Sequence, residues 1–489
     1  MNIQIPTIML KYYLLFILFL PSLLAAQIGI GTTSPDPASI LDVTSTTQGV
    51  LFPRMTTAQM NAISSPTKGL TIFNSETNSY YYNDGSVWVE LEGAVKRDNY
   101  KLVKTIADLS DELTLGGGSQ YLLKTNFLYE INGNVTVNFP INLNGAYVEG
   151  VDTGSDILVN NTSGSLFTGS GGGSIRNLTI NGNKKQIFNI TGGTLVANNV
   201  IFSSASSLGR LTGLDLVFFS ISQYVNNTTG FAVSNIGSFF MNNTFWTATN
   251  QGTFMTLTGT FNNLQMANGR VVADSGETGL NVNANPTVSN SALLSGLSFV
   301  GDGRLVNGYT AANTFSGYNF SKQWDVNCEG IPVETDGNAS ANFYSTSTLI
   351  TGFSQTITGT NPVEIQGNGT FSAQNLFRFK VAEDEGYNRL TYTGRKGRNF
   401  QLTASLSVRV NNAAGDYYAF VFAKNGEVIT ESNAVVYIDS NTQIQNVALS
   451  SVVNLSANDY IEVFVQKLTT KDGNGNDSLV IFSENVSIK

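Results

Sequence analysis

Apolar residues in this chain mostly alternate singly with polar ones, in short runs bounded by Asn or Gly. Such alternation sends successive side chains to opposite faces of an extended strand, so the pattern predicts β-structure almost throughout. Between residues 121 and 335 the runs also repeat: IRNLTINGN from Ile175, VANNVIFSS from Val196, LTGLDLVFFS from Leu211, VSNIGSFFMNN from Val233, FNNLQMANGR from Phe261 and VSNSALLSGLSFVG from Val288. Their spacing of roughly 15 to 28 residues is that of one coil of a solenoid. Leu178 and Ile180, or Val200 and Phe202, then point into the core, and Asn and Gly take the corners.

After residue 371 the alternation becomes denser, with seven or eight runs such as FQLTASLSVRV, YYAFVFAKNGEVI and LVIFSENVSIK. That is the content of one antiparallel sandwich or jelly roll over 371–489, and Lys424-Asn425-Gly426-Glu427 reads as a type I′ hairpin. Residues 336–370 are rich in Thr, Ser, Asn and Gly and predict a connecting segment. Residues 93–120 predict a charged linker with a weak helix in TIADLSDEL. In 27–92 one helix-like patch, Thr57 to Ile63, stands beside strand signals. Asn83-Asp84-Gly85 between two aromatic runs marks a hairpin there. The expected fold is all-β: a parallel β-helix shaft, then an antiparallel jelly-roll head, with a short mixed N-terminal segment in front.

One run does not alternate. YYLLFILFLPSLL follows Lys11 and precedes Ala25-Ala26. A basic start, a short apolar core and small residues form a secretory signal over 1–26, too short for the ~20 residues of a membrane span. This predicts a secreted or cell-surface protein with no permanent span after cleavage.

Composition narrows the chemistry. Only 12% of the 489 residues are charged, the net charge is −9, and there are 48 glycines, one cysteine and no histidine. The acidic balance argues against nucleic acid as a partner, since phosphate binding needs clustered Lys and Arg. Without histidine there is no Ser-His-Asp triad and no His-based zinc site. Cys328 alone allows no intrachain disulfide and reads as a buried, inert thiol.

Three resemblances follow from these stretches. The segment IGIGTTSP, ILDV, GVLFPRMT, GLTIFN and YYNDGSVWV resembles the N-terminal segment of secreted surface proteins of Bacteroidetes-type bacteria and of phage tail-fibre-like proteins. The repeats resemble the right-handed parallel β-helices of tailspikes and pectate-lyase-like proteins. FAKNGEVI and LSANDYIEVFV resemble C1q/TNF-like jelly rolls. Together they imply a homotrimer that binds a surface polysaccharide or cell-surface receptor, placed extracellularly or in a virion tail. A polysaccharide-degrading enzyme and a purely architectural filament are the other readings, and non-enzymatic adhesion is preferred.

Gly29-x-Gly31 invites a phosphate-binding loop, but Ser34 stands at the third glycine position and Pro35 and Pro37 oppose a following helix, leaving a turn. Glycoside cleavage needs paired carboxylates about 5 to 9.5 Å apart. Asp215, Asp274, Glu277 and Asp302 are the foremost candidates in the solenoid, with Asp325 and Glu329 behind them. Arg395, Lys396 and Arg398 form a basic loop suited to anionic glycans. Tyr81 and Trp88 are aromatic candidates for stacking on sugars. No cofactor is called for beyond a possible Ca²⁺ at Asp472, Asn474 and Asn476, whose spacing matches the start of a calcium loop although Asp477 replaces its glycine.

Overall fold

The computed structural model describes residues 27–91, 97–310, 315–367, 371–381, 388–471, 473 and 475–489. The expected signal peptide lies outside them. The chain divides into two compact units, 1–97 and 98–489.

In the first unit Ile28–Ile30 pairs in parallel with Leu41–Val43, and four strands from Arg54–Met55 to Trp88–Glu90 make a second sheet. The expected helix forms over Thr57–Asn61. The Thr56 hydroxyl accepts from the Gln59 amide while the Gln59 side chain accepts from the Thr56 amide, so two orphan donors are satisfied reciprocally. The predicted hairpin joins Ser79–Asn83 to Trp88–Glu90, and the Asp84 carboxylate accepts from the amides of Ser86 and Val87. Gly29 lies in the two-stranded pairing and Gly31 in the bend that follows it. A Cβ on Gly31, at φ +79°, would stand 2.0 Å from the Thr44 carbonyl oxygen, so that turn accepts glycine only.

The second unit begins with the solenoid. Parallel strands stack in three faces, and one face carries ten rungs in register: Tyr100, Leu128, Tyr147, Ser174, Val196, Phe218, Phe240, Gln265, Leu293 and Asp325. The segment read as a linker supplies the first of these rungs. Its 3₁₀ turn Ile106–Leu109 and helix Ser110–Leu115 carry the buried Glu112, which meets Lys101 Nζ at 2.7 Å and the Tyr129 hydroxyl at 3.0 Å.

Inside, Leu178, Ile180, Val200 and Phe202 are fully buried, as the alternation requires. Phe188 and Phe231 belong to rungs separated by Gly209, yet their rings lie only 6.1 Å apart because the intervening glycine leaves the space free. Corners are turned by residues in the left-handed region, among them Asn177, Asn199, Asn243, Asn268 and Gly296, which stack at one bend. Asparagine tolerates that backbone because its short amide bonds locally, and Asn199 donates to Asn177 at 3.1 Å.

The unit ends in a sandwich of two antiparallel sheets built around Asn476–Ile488 and Tyr460–Lys467. Ser340–Ser345 and Phe353–Thr358, in the segment read as connecting, both pair with Asn476–Ile488. Asn425 and Gly426 both have positive φ, the geometry of the expected I′ turn. The sandwich is fixed to the last rungs by Arg378, itself 2% exposed: its guanidinium donates to the Trp324 and Glu334 carbonyls and lies 3.5 Å from the Asp336 carboxylate.

Candidate functional site: an outward face of the solenoid

Along most of the ten-rung face the residues beside the column position are buried, among them Ala146, Val148, Val217, Phe219, Phe239 and Met241, so the column itself points out. Most of these outward positions should be polar. Instead Tyr147, Val196, Phe218, Phe240 and Leu293 form an apolar stripe, with Tyr147 42% and Phe218 37% exposed. Small polar residues flank it, for example Ser238 and Asn242 beside Phe240, and Asn263 beside Gln265.

Among the described residues, recesses open at two places on this face. One, of about 360 Å³, is lined by Tyr147, Arg176 and Val196, with room made by Gly171 and Gly173. The other, of about 470 Å³, lies where the stripe meets the sandwich, between Phe240, Gln265, Leu293 and Asp325 of the solenoid and Arg395 and Lys396 of the sandwich. Lys396 Nζ stands 3.5 Å from Asp325 Oδ2, so one wall carries both signs of charge.

The basic loop is held in place there. The Asp336 carboxylate accepts from the backbone amides of Arg395 and Lys396, both at 2.9 Å, while Arg398 Nη1 donates to the Asp336 carbonyl at 2.6 Å. Arg395 reaches the Gln323 carbonyl. Behind it, Glu334 is buried and accepts from the amides of Asn319 and Phe320 at 2.6 and 3.0 Å. Burial pushes its carboxyl up to about 7, against the pull of those amides and of Arg378.

The other sequence candidates are dispersed. Asp274, Glu277 and Asp302 come to one corner, where the Asp274 amide donates to Glu277 Oε2 at 2.9 Å and Arg304 N to the Glu277 carbonyl. Asp302 sits in the turn one rung on, beside that pair. Asp215 lies at a different corner, next to Gly193 and Gly237. Tyr81 and Trp88 belong to the first unit, where the Tyr81 hydroxyl donates to Glu90 at 3.2 Å. Asp472 and Asn474 lie outside the described residues, and Asn476 opens the last strand. Cys328 is buried, which raises its thiol to about 11. Among the described residues no three acidic or thiol side chains converge to hold a metal ion, and no helix is long and apolar enough to cross a membrane.

Sequence reasoning singled out Asp325, Arg395 and Lys396 but missed Tyr147, Phe218, Gln265 and Leu293. The signal was present: VFF at 217–219 and FFM at 239–241 are unbroken apolar triplets, and in an alternating strand the middle member must face outward.

Residues 29–106 match the family model of the phage tail-like trimerisation region. No curated protein sequence matches the chain. Among solved structures, the enzymatically active domain of tailspike protein 4 from bacteriophage CBA120 covers 89% of this chain and 77% of its own, at 10% identity and a TM-score of 0.29. ORF18 of Geobacillus virus E2 covers 83% and 89%, at 10% identity and 0.25. The Eiger TNF of S. frugiperda covers 31% and 91%, at 10% identity and 0.22. At these scores none of the three bears on what the chain does. The trimerisation match fits a tail-fibre-like protein.

Proposed function

We propose that the protein is a homotrimeric, tail-fibre-like adhesion protein, secreted or carried on a virion, that presents its solenoid face and sandwich to surface glycans or a cell-surface receptor. The observation that carries this reading is the trimerisation match over 29–106. It agrees with the surface of the first unit, where Ile28, Ile30, Ile40, Leu41 and Leu51 are all more than half exposed. A lone two-stranded pairing such as Ile28–Ile30 with Leu41–Val43 is marginal in water, and association of three copies is what would cover it. The Bacteroidetes-type character of the opening segment, the C1q/TNF-like character of the head and export by the N-terminal signal are parts of the same proposal.

Glycans suit the solenoid face because rings and aliphatic side chains pack on the apolar faces of sugars while Ser, Asn and Gln bond their hydroxyls. No covalent step is required. The test is adhesion of the purified protein to immobilised bacterial polysaccharides, with light scattering for its mass in solution. Removing residues 27–92 should leave a monomer that adheres weakly; a monomeric intact protein would remove the basis of the reading.

The corner of Asp274, Glu277 and Asp302 favours one second reading, a polysaccharide depolymerase. Release of new reducing ends, abolished by Asp274→Asn or Glu277→Gln, would establish it in place of adhesion alone. Calcium at 472–476 would show as a rise in melting temperature on adding CaCl₂.

A further inference from the structure

A further recess lies on the sandwich. It holds about 440 Å³ and is lined by Gly415, Tyr417, Tyr437, Thr469, Thr470 and Lys471. Tyr417 and Tyr437 are direct cross-strand partners, their ring centres are 5.0 Å apart and tilted by 49°, and they are 46% and 41% exposed. Tyr392 and Tyr418 of the same domain are wholly buried. A Cβ on Gly415, at φ +89°, would stand 2.6 Å from the Tyr437 hydroxyl, so the glycine keeps this side of the recess open.

The recess is braced from behind by a buried cluster of charges. Asp416, Lys467 and Asp477 are all buried, with Lys467 Nζ 3.2 Å from Asp416 and 2.8 Å from Asp477. Buried ion clusters of this kind are costly to desolvate and often add little net stability. Here their hydrogen bonds reach the recess. Asp416 accepts from the Thr469 hydroxyl at 2.8 Å and from the Lys471 amide at 2.9 Å, and the Thr469 oxygen accepts from the Tyr417 amide at 3.0 Å. The Tyr417 backbone and the 469–471 strip are therefore set before anything binds, as a recognition site requires.

Two rigid rings with polar tips, a Thr hydroxyl and an ammonium on the rim match the chemistry of a pyranose: apolar C–H faces for stacking and ring hydroxyls for bonding. We infer that the Tyr417–Tyr437 recess is a sugar-binding site for a single pyranose residue, distinct from the solenoid face. The inference rests on the glycan-binding reading above and adds a second contact point to it.

The full-length protein, titrated with methyl glycosides of glucose, galactose, N-acetylglucosamine and glucuronate under saturation-transfer NMR, tests this. At least one should bind, with Kd of about 1 mM. Tyr417→Ala and Tyr437→Ala should each weaken it at least tenfold, whereas Tyr417→Phe keeps the ring. Val435→Ala, an exposed change on the same strand outside the recess, should leave binding as it was. Binding to none of the four, or binding untouched by both alanine variants, overturns the inference. Adhesion of the wild type to polysaccharide, measured alongside, separates the two readings: a wild type that adheres but binds none of the four glycosides drops the recess alone, whereas a wild type that neither adheres nor binds drops both.

Discussion

Ile221 turns the corner that Asn or Gly turns on the rungs above and below it. Its φ is +53°, a backbone that costs a β-branched residue about 1–2 kcal/mol, and at 49% exposure its side chain recovers little by packing. Ile221→Asn is expected to stabilise the protein by about 1 kcal/mol, read as a higher urea midpoint; an unchanged or lower midpoint refutes the assignment of strain. Glu484 is the reverse case, a carboxyl whose strand position faces the sandwich core. Burial pushes it up to about 8 from its ordinary 4.5. Above pH 4.5 the unfolded chain loses this proton while the folded one keeps it, so stability falls as pH rises towards 8, by at most about 1.4 kcal/mol per unit from this group. Glu334 and Glu462, both held near 7 chiefly by burial, lose stability with rising pH in the same direction. Glu484→Gln should therefore flatten the dependence between pH 5 and 8 without abolishing it, in denaturation curves across that range.

At the level of elements, side-chain amides stitch rung to rung where strands give way to turns. Asn227 and Asn250 are each 1% exposed; Asn227 donates to the Phe202 carbonyl at 3.0 Å and to Asn250 Oδ1 at 2.9 Å, and Asn250 donates to the Tyr224 carbonyl at 2.8 Å. Asn227→Ala strands buried partners on two rungs and should cost about 1–3 kcal/mol, with a matching drop in melting temperature. These corners were legible in the sequence, because Asn and Gly at positive φ punctuate each repeat. So was the inward set, because alternation fixes parity. The joint between solenoid and sandwich was not. Arg378 carries no pattern that distinguishes a buried guanidinium from a surface one, and its partners Trp324 and Glu334 lie more than 40 residues away. The loop of Arg395, Lys396 and Arg398 was visible as charge, but its docking on Asp336 depends on tertiary distance alone.

For the whole molecule, the consequence of that joint is mechanical. Arg378→Met should uncouple the sandwich from the last rungs, splitting one thermal transition into two in calorimetry, whereas a single lowered transition would mean that the domains fold as one regardless. The face that meets the sandwich at Asp325 and Lys396 carries no contiguous sequence motif: its members come from separate rungs and a loop, and only stacking aligns them. Sequence periodicity announced the solenoid; it did not say which register would line up Tyr147, Phe218 and Phe240.

That register has one more implication. Gly172 pairs with Thr194, Thr194 with Leu216 and Leu216 with Ser238, so three successive coils have the same length of 22 residues. Excising Thr194 to Asp215 would join Gly193 to Leu216 with the strand pairing still in phase, because each strand bonds only those directly above and below it. The shaft is in this sense modular: a genetic deletion or duplication of one such unit would change its length, and the reach of whatever it carries, without a new fold being devised.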